Sequence, residues 1–359
     1  MKTILITGGC GFVGRHLAAR LSDEPENEIW IVDDLSTGMH PMSWEVPAVV
    51  FSKHQPHKNM LSFDFQGKQS KLVFINSDFT SFAYSELMRQ PNFGIPHTPH
   101  FDEIYHLASV VGGRAIIEGD PLLVGIDLAI DSSFFLWAAK INKPGRILYA
   151  SSSAAYPVFK QKAGAAVALA EDMINFEEGF LKPDFTYGWS KLTGEYLSKI
   201  AVEKYGLNVA VVRPFSGYGE DQDPTYPVPA IALRVANQNN PVRVWGSGNQ
   251  GRDFVHIDDC VEACVLACRN IGDGSAVNIG SGVLTTFRQL AELMVDIEGY
   301  SATVEGVVGR PVGVDLRYCN TEHSFKKLQW KPAISLRDGM KRVLVTAKNR
   351  LAAGYKSFD

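Results

Sequence analysis

Three glycines near the start of the chain limit its fold more than any other feature. Gly8, Gly11 and Gly14 follow a compact, largely β-branched run at 2–7 and precede a helical stretch at 15–21. In such a strand–turn–helix one glycine adopts a positive φ, another lets the backbone approach a pyrophosphate, and a third lets helix and strand pack closely. The helix start then offers free N–H groups and the positive end of its dipole. Phe12 and Val13 lie within the turn. With a strand before it and a helix after it, the spacing predicts a dinucleotide site rather than a plain turn.

The short apolar type of 2–7 recurs at 27–32, 72–76, 103–107, 146–150 and 209–213, with helical patterns at 120–141 and 185–205. Strands alternating with helices predict an α/β fold: a Rossmann-like, doubly wound parallel sheet covered on both faces. At roughly 150 residues per domain, 359 residues call for a second unit. Beyond 215, Pro224, Pro227, Pro229 and Pro241 break the chain into short pieces, while 254–269 and 276–279 return to the pattern of the first 214 residues. We expect a cofactor domain at 1–214, with returning segments near 254–280. It would be interleaved with a smaller α/β substrate domain at 215–253 and 281–359. The proline-rich stretches 38–70 and 90–100 read as loops.

A net charge of −4 gives no basic field for nucleic acid. No run approaches the ~18 to 20 uninterrupted apolar residues of a membrane span. The N-terminal apolar run breaks at once into Gly8-Gly9-Cys10-Gly11 and does not read as a signal peptide. Five cysteines, an odd and sparse set, suit a reducing cytoplasm better than a disulfide framework. Cys260, Cys264 and Cys268 share one helical face whose neighbours Val261, Val265 and Leu266 are apolar, and read as buried thiols. His40, His54, His57, His97 and His100 fall in the two proline-rich stretches. Nothing there fixes ligand geometry, and no metal site is expected.

Asp33 ends the second strand, 19 residues after Gly14, where a carboxylate can accept both ribose hydroxyls of adenosine. Asp34 and Ser36 follow, with no basic residue to meet a 2′-phosphate, which favours NAD over NADP. Asp78 could accept from the adenine amino group with Phe79 lining the base, although Asp after a strand is also ordinary turn chemistry. Tyr187 and Lys191 are four apart and share a helical face. An ammonium near a phenol favours the phenolate, which can accept a hydroxyl proton. Ser151, Ser152 and Ser153 follow the strand at 146–150, and ligands of open parallel sheets bind beyond the carboxyl ends of strands.

Together these segments resemble the extended short-chain dehydrogenases/reductases, in their group of NAD-dependent nucleotide-sugar epimerases and dehydratases. The matching pieces, in order, start with Thr7-Gly8-Gly9-Cys10-Gly11-Phe12-Val13-Gly14, Asp33 and His106-Leu107-Ala108-Ser109. Ala150-Ser151-Ser152-Ser153, Tyr187 with Lys191, and Arg213-Pro214-Phe215-Ser216-Gly217-Tyr218-Gly219 follow. Gly251-Arg252-Asp253-Phe254-Val255-His256-Ile257-Asp258-Asp259 and Asn278-Ile279-Gly280 complete the set. The resemblance implies NAD as cofactor, a nucleotide-diphosphate sugar as substrate and a homodimer joined through the helices at 120–141 and 185–205. Phe134, Phe135 and Trp137 are the expected interface aromatics. It also implies Leu107, Ala108, Ser109 and Pro214 as cofactor contacts, Ser152 as the catalytic serine beside Tyr187 and Lys191, and Ser153 and Ser216 as substrate contacts. Arg252, Arg310 and Arg317 take the place of diphosphate ligands. Tyr149-Ala150-Ser151-Ser152, Tyr156-Pro157-Val158-Phe159-Lys160-Gln161 and Val111-Gly112-Gly113 resemble the active-site segments of plant GDP-mannose 3,5-epimerases, which puts Gly112 and Gly113 at the substrate.

The chain also departs from the pattern. The Asp-Glu pair of the 4,6-dehydratases falls on Ser153 and Ala154, and the decarboxylase Glu falls on Ala154. The acid/base Cys and Lys of the 3,5-epimerases fall on Ala154 and near Pro227. The family's Asn-x-x-Gly-Thr reads Asp127-Leu128-Ala129-Ile130-Asp131, and Ser216 replaces an Asn. What remains is chemistry needing Tyr187, Lys191, Ser152 and NAD: hydride transfer at the sugar's 4-position, as a 4-epimerase or a 4-dehydrogenase. The alternatives are a 3,5-epimerase, a 4,6-dehydratase or decarboxylase, and an NAD-binding regulator without turnover.

Overall fold

The computed structural model describes residues 1–45, 47–52, 59–88, 98–112, 114–164, 167–177 and 181–356. Its main sheet contains β1 (Thr3–Thr7), β2 (Glu28–Asp33), β3 (Val49–Phe51), β4 (Met60–Phe65), β5 (Lys71–Asn76), β6 (Glu103–His106), β7 (Arg146–Ala150) and β8 (Val209–Pro214). The sheet order is β12-β8-β7-β6-β1-β2-β5-β4-β3, in which β12 is Asp273–Ile279. From β12 to β5 every pairing is parallel, whereas β4 and β3 run antiparallel.

The β1 sequence explains its central place. Side chains alternate across a strand, so Ile4 and Ile6 enter the core on one face and Leu5 enters the core on the other. The first core is closed by α1 (Phe12–Ser22) through Leu17, Ala18 and Leu21. The opposite core is closed by α2 (Phe79–Leu87), by α5 (Asp127–Trp137) and by α6 (Phe185–Tyr205). Between α2 and α5 lie two short helices, α3 (Arg114–Gly119) and α4 (Pro121–Val124).

Further along are β9 (Ser216–Tyr218), α7 (Pro227–Ala236), β10 (Val242–Trp245), β11 (Gly251–His256) and α8 (Ile257–Asn270). After β12 come β13 (Leu284–Thr286), α9 (Phe287–Glu298), β14 (Val304–Val307), β15 (Leu316–Arg317), α10 (Glu322–Leu328) and α11 (Leu336–Ala352). A separate core joins α7, α9 and α11 through Val228, Ile231, Leu290, Met294, Met340 and Leu344. By contrast, α8 packs into the α1 side of the main sheet, with Cys260, Cys264 and Cys268 buried there.

Several expectations are corrected. The stretch 38–70 is not all loop, since β3 and β4 form a hairpin that extends the sheet beyond β5. The helix expected at 120–141 is α4, then α5, then a π turn at Ala138–Asn142 that ends on Lys143 with φ 46°. Phe134, Phe135 and Trp137 lie within the core and cannot form an interface. The apolar residues exposed along this segment are instead Leu122, Leu123, Ile126, Leu128, Leu136 and Ile141. By length and composition alone, Pro121–Asn142 could cross a membrane, but half of it is buried inside the protein. Of the histidines singled out, His54, His57 and His97 lie outside the described residues. Among the described residues no group of three or more His, Cys, Asp or Glu side chains is placed to hold a metal.

Candidate active site

Because strands β1, β2, β6, β7 and β8 are parallel, their carboxyl ends open on one edge, and the turns that follow them meet there. The glycine turn lies between β1 and α1. Gly8 has φ 67°, and a Cβ there would come within 2.8 Å of the Ala108 backbone. The turns after β1 and β6 are therefore in direct contact, tied also by Thr7 Oγ1, which accepts from the N–H groups of Leu107 and Ala108. Gly11 precedes α1 in extended conformation and gives it no side-chain cap. The first N–H groups of a helix have no intrahelical partner, so those of Phe12, Val13 and Gly14 are left for an outside acceptor. Asp33, buried at the end of β2, accepts from Cys10 N–H at 2.9 Å and Leu35 N–H at 2.8 Å. Burial raises its pKa, and the two N–H donors oppose the rise. Asp34 and Ser36 are exposed beside it. An open helix start, a turn with no room for a Cβ and an acid at the end of the second strand together fit a dinucleotide.

Asp78 caps α2 by accepting from Ser81 N–H, and Phe79, the first residue of that helix, is buried against Phe82, Phe134 and Trp137. The expectation that Phe79 lines the adenine is therefore corrected. Ser109 turns its hydroxyl onto Asp127 at 2.7 Å. Pro214 closes β8 and is half-buried.

Tyr187 and Lys191 lie one turn apart on α6, with Lys191 Nζ 5.8 Å from the Tyr187 ring centre. Lys191 is buried. Burial works against its charge, but Tyr187, Asp131 and Asp127 outweigh that and hold its pKa above the usual lysine value. The serine turn after β7 docks on the start of α6, where Asp184 N–H donates to Ala154 O at 3.0 Å. Within that turn Ser151 is buried and donates to Glu195, and Ser153 is buried too. Only Ser152 is partly accessible, with its Oγ accepting from Ala154 N–H at 3.1 Å. That exposure favours Ser152 over its neighbours as the serine able to reach a ligand.

A cluster of arginines lies beside the start of α6. Parallel pairing of β11 with β15 sets Arg252 beside Arg317. Arg317 donates to Asp184 at 2.8 Å and to Gln161 at 2.6 Å. Arg114, which the sequence pattern does not single out, grips both oxygens of Asp184 at 2.8 and 3.0 Å. Arg252 donates only to backbone carbonyls, of Gly251, Val312 and Asp315. Burial, reinforced by the nearby Arg317 and Arg114 guanidiniums, pulls its pKa well below the usual arginine range. Among the described residues no carboxylate forms an ion pair with it. A half-buried guanidinium without a carboxylate in ion-pair reach is suited to an anionic ligand, and a diphosphate offers paired oxygens. Arg310 has a different setting, exposed and 5.7 Å from the Trp245 ring centre. Gly112 and Ser216 are half-buried, whereas Gly113 lies outside the described residues.

The sequence profile of the NAD dependent epimerase/dehydratase family matches residues 4–280. A putative UDP-glucose 4-epimerase of Methanocaldococcus jannaschii is 27% identical over 351 residues, covering 96% of this chain and 98% of its own. GDP-mannose 3,5-epimerase of Arabidopsis thaliana is 29% identical over 346 residues, covering 94% of this chain and 80% of its own. Among solved structures, UDP-glucose 4-epimerase of Thermotoga maritima superposes with a TM-score of 0.74 at 24% identity, covering 98% of this chain and 99% of its own.

Proposed function

The chain belongs to the NAD dependent epimerase/dehydratase family, and from that premise we propose that it oxidises the 4-hydroxyl of a nucleotide-diphosphate sugar, as a 4-epimerase or a 4-dehydrogenase. The observation that carries this reading is Tyr187 paired with Lys191 on α6, with no proton shuttle at Ser153, Ala154 or Pro227, the positions where related chemistries need one. Tyr187 accepts the hydroxyl proton, and the Lys191 ammonium supports the phenolate. Ser152 hydrogen-bonds the reacting oxygen. Bound NAD supplies the hydride acceptor. Ser153 and Ala154 are buried and carry no carboxylate or thiol, and Pro227 carries no ammonium. Arg252 and Arg317 hold the diphosphate.

Incubation with substrate in heavy water tests this. The product should carry no deuterium at the 3- or 5-position, and hydride should exchange only at the 4-position. The similarity to GDP-mannose 3,5-epimerases favours one second reading, and deuterium at the 3- or 5-position would establish it in place of ours.

Two further expectations belong to this reading. NAD should bind more tightly than NADP, because Asp33 and Asp34 offer a 2′-phosphate no cation at the end of β2. Titration of both cofactors checks it, and equal affinity would remove the argument. The protein should also be a homodimer. Trp189, Tyr196 and Tyr205 on α6 are exposed together with the apolar residues named along α4 and α5, and two such helical faces make a self-complementary bundle. A stable monomer in light scattering at micromolar concentration would refute this.

A further inference from the structure

Asp184 stands just before α6, where an aspartate ordinarily caps a helix by accepting from an N–H of its first turn. Here its side chain makes no such bond. The next residue, Phe185, has φ 52°, and the buried Asp184 carboxylate meets two arginines instead. Arg114, at the head of α3, grips both oxygens at 2.8 and 3.0 Å and lies 5.4 Å from the Phe185 ring centre. Arg317, on β15, donates to Oδ2 at 2.8 Å. Burial works to raise the pKa of this carboxyl, but the two guanidiniums outweigh it and hold the value below the usual aspartate range. The Asp184 backbone is engaged as well. Its N–H donates to Ala154 O in the serine turn at 3.0 Å, and its carbonyl accepts from Gly188 N–H at 2.8 Å, closing the helical turn that contains Tyr187. One residue thus joins the serine turn, the turn bearing Tyr187 and an arginine of the diphosphate site. A forgone cap and a phenylalanine at positive φ both disfavour the local fold, and the ion pairs are what the arrangement secures.

We propose that Asp184 is a positioning residue that ties Arg317 to the first turn of α6, so that a diphosphate held by Arg317 delivers its sugar to Tyr187 in register, and that it is the resident counter-anion with which the diphosphate competes for Arg317. The inference rests on the reading of Arg317 as a diphosphate ligand and of Tyr187 as the proton acceptor. Three guanidiniums gather here. Arg114 pairs with Glu118 as well as with Asp184. Among the described residues Arg317 pairs with no carboxylate but Asp184, and Arg252 with none. The Asp184 charge therefore offsets the pull of this cluster on an incoming anion. Gln161 accepts from Arg317 Nε at 2.6 Å, which keeps that side chain in place when Asp184 is made neutral.

The test is calorimetric titration of the NAD-bound protein with UDP and with GDP, together with turnover on a panel of nucleotide sugars. Asp184→Asn should bind whichever nucleotide the parent binds about threefold or more tightly, because a negative charge in contact with Arg317 has been removed. Its turnover should nevertheless fall by about 10- to 100-fold, the cost of a small misplacement of reacting groups. Arg114→Met keeps the carboxylate and removes a cation, so it should weaken the same nucleotide by about threefold or more. A purely structural tie would shift affinity in one direction whichever partner was removed, and the opposite signs are what separates the two roles. Unchanged or weaker nucleotide binding in Asp184→Asn overturns the proposal, as does turnover equal to that of the parent. If Asp184→Asn folds poorly, Arg114→Met decides, and unchanged or tighter binding there overturns it. A parent that binds neither nucleotide or turns over no nucleotide sugar would instead refute the reading of the reaction, before any variant is compared.

Discussion

Replacing Tyr187 with Phe should reduce turnover by roughly 10²- to 10⁴-fold, the worth of a positioned acid/base group. Nearly the same volume remains, and Lys191 stays buried one turn away on α6. NAD and sugar-nucleotide affinity should therefore change little, so that kcat falls while binding persists. Single-turnover absorbance of the reduced cofactor, with a separate binding titration, distinguishes these quantities. Ser152→Ala should have a smaller effect, because it removes one hydrogen bond at the reacting oxygen. Ala154→Ser should be nearly silent. If Tyr187→Phe retained wild-type turnover, the phenol would not be the proton acceptor, and the proposed reaction would fail with it.

The second large effect is expected at Arg252. Its guanidinium donates to backbone carbonyls and lies near two other arginines. Removing a charge that a ligand would neutralise should weaken that ligand by roughly 2 to 5 kcal/mol, or about 30- to 4,000-fold in dissociation constant. For Arg252→Met we expect that loss for UDP and GDP by calorimetry, with NAD affinity unchanged. The variant without ligand should melt close to the parent, because a half-buried cation without an ion pair has been replaced by an apolar chain of similar length. Undiminished nucleotide binding would remove Arg252 from the diphosphate site. The equivalent Arg310 variant should do little, since Arg310 lies exposed over Trp245.

The sequence carried the parallel sheet and the glycine turn plainly, because both depend on local pattern: apolar runs of strand length, and glycines at fixed offsets between a strand and a helix. It did not carry the β3–β4 hairpin. Prolines punctuate that stretch, and Met60–Phe65 buries Met60, Phe63 and Phe65 without a regular alternation. Apolar content along 120–141 was readable, but its orientation was not, since periodicity does not say which face of a helix meets its own sheet and which is left over. Phe79 was misplaced for a similar reason. Its spacing to Phe82 marks a buried helical stripe, a signal outweighed by its position after a strand. Arg114 with Asp184 had no local signal at all, because the pair joins residues 70 apart.

The two ends of the main sheet bear on how the protein avoids sticking to its own copies. A sheet edge presents unpaired backbone groups that can template another strand. Here one edge is β3, a strand of three residues, too short to offer much of a ladder even though Val50 and Phe51 on it are exposed. The other is β12, whose register slips between Asp273 and Ala276, and an irregularity of that kind interrupts regular pairing. Neither rim offers a long, flat row of donors and acceptors. Self-association through strand addition is thereby discouraged at both rims.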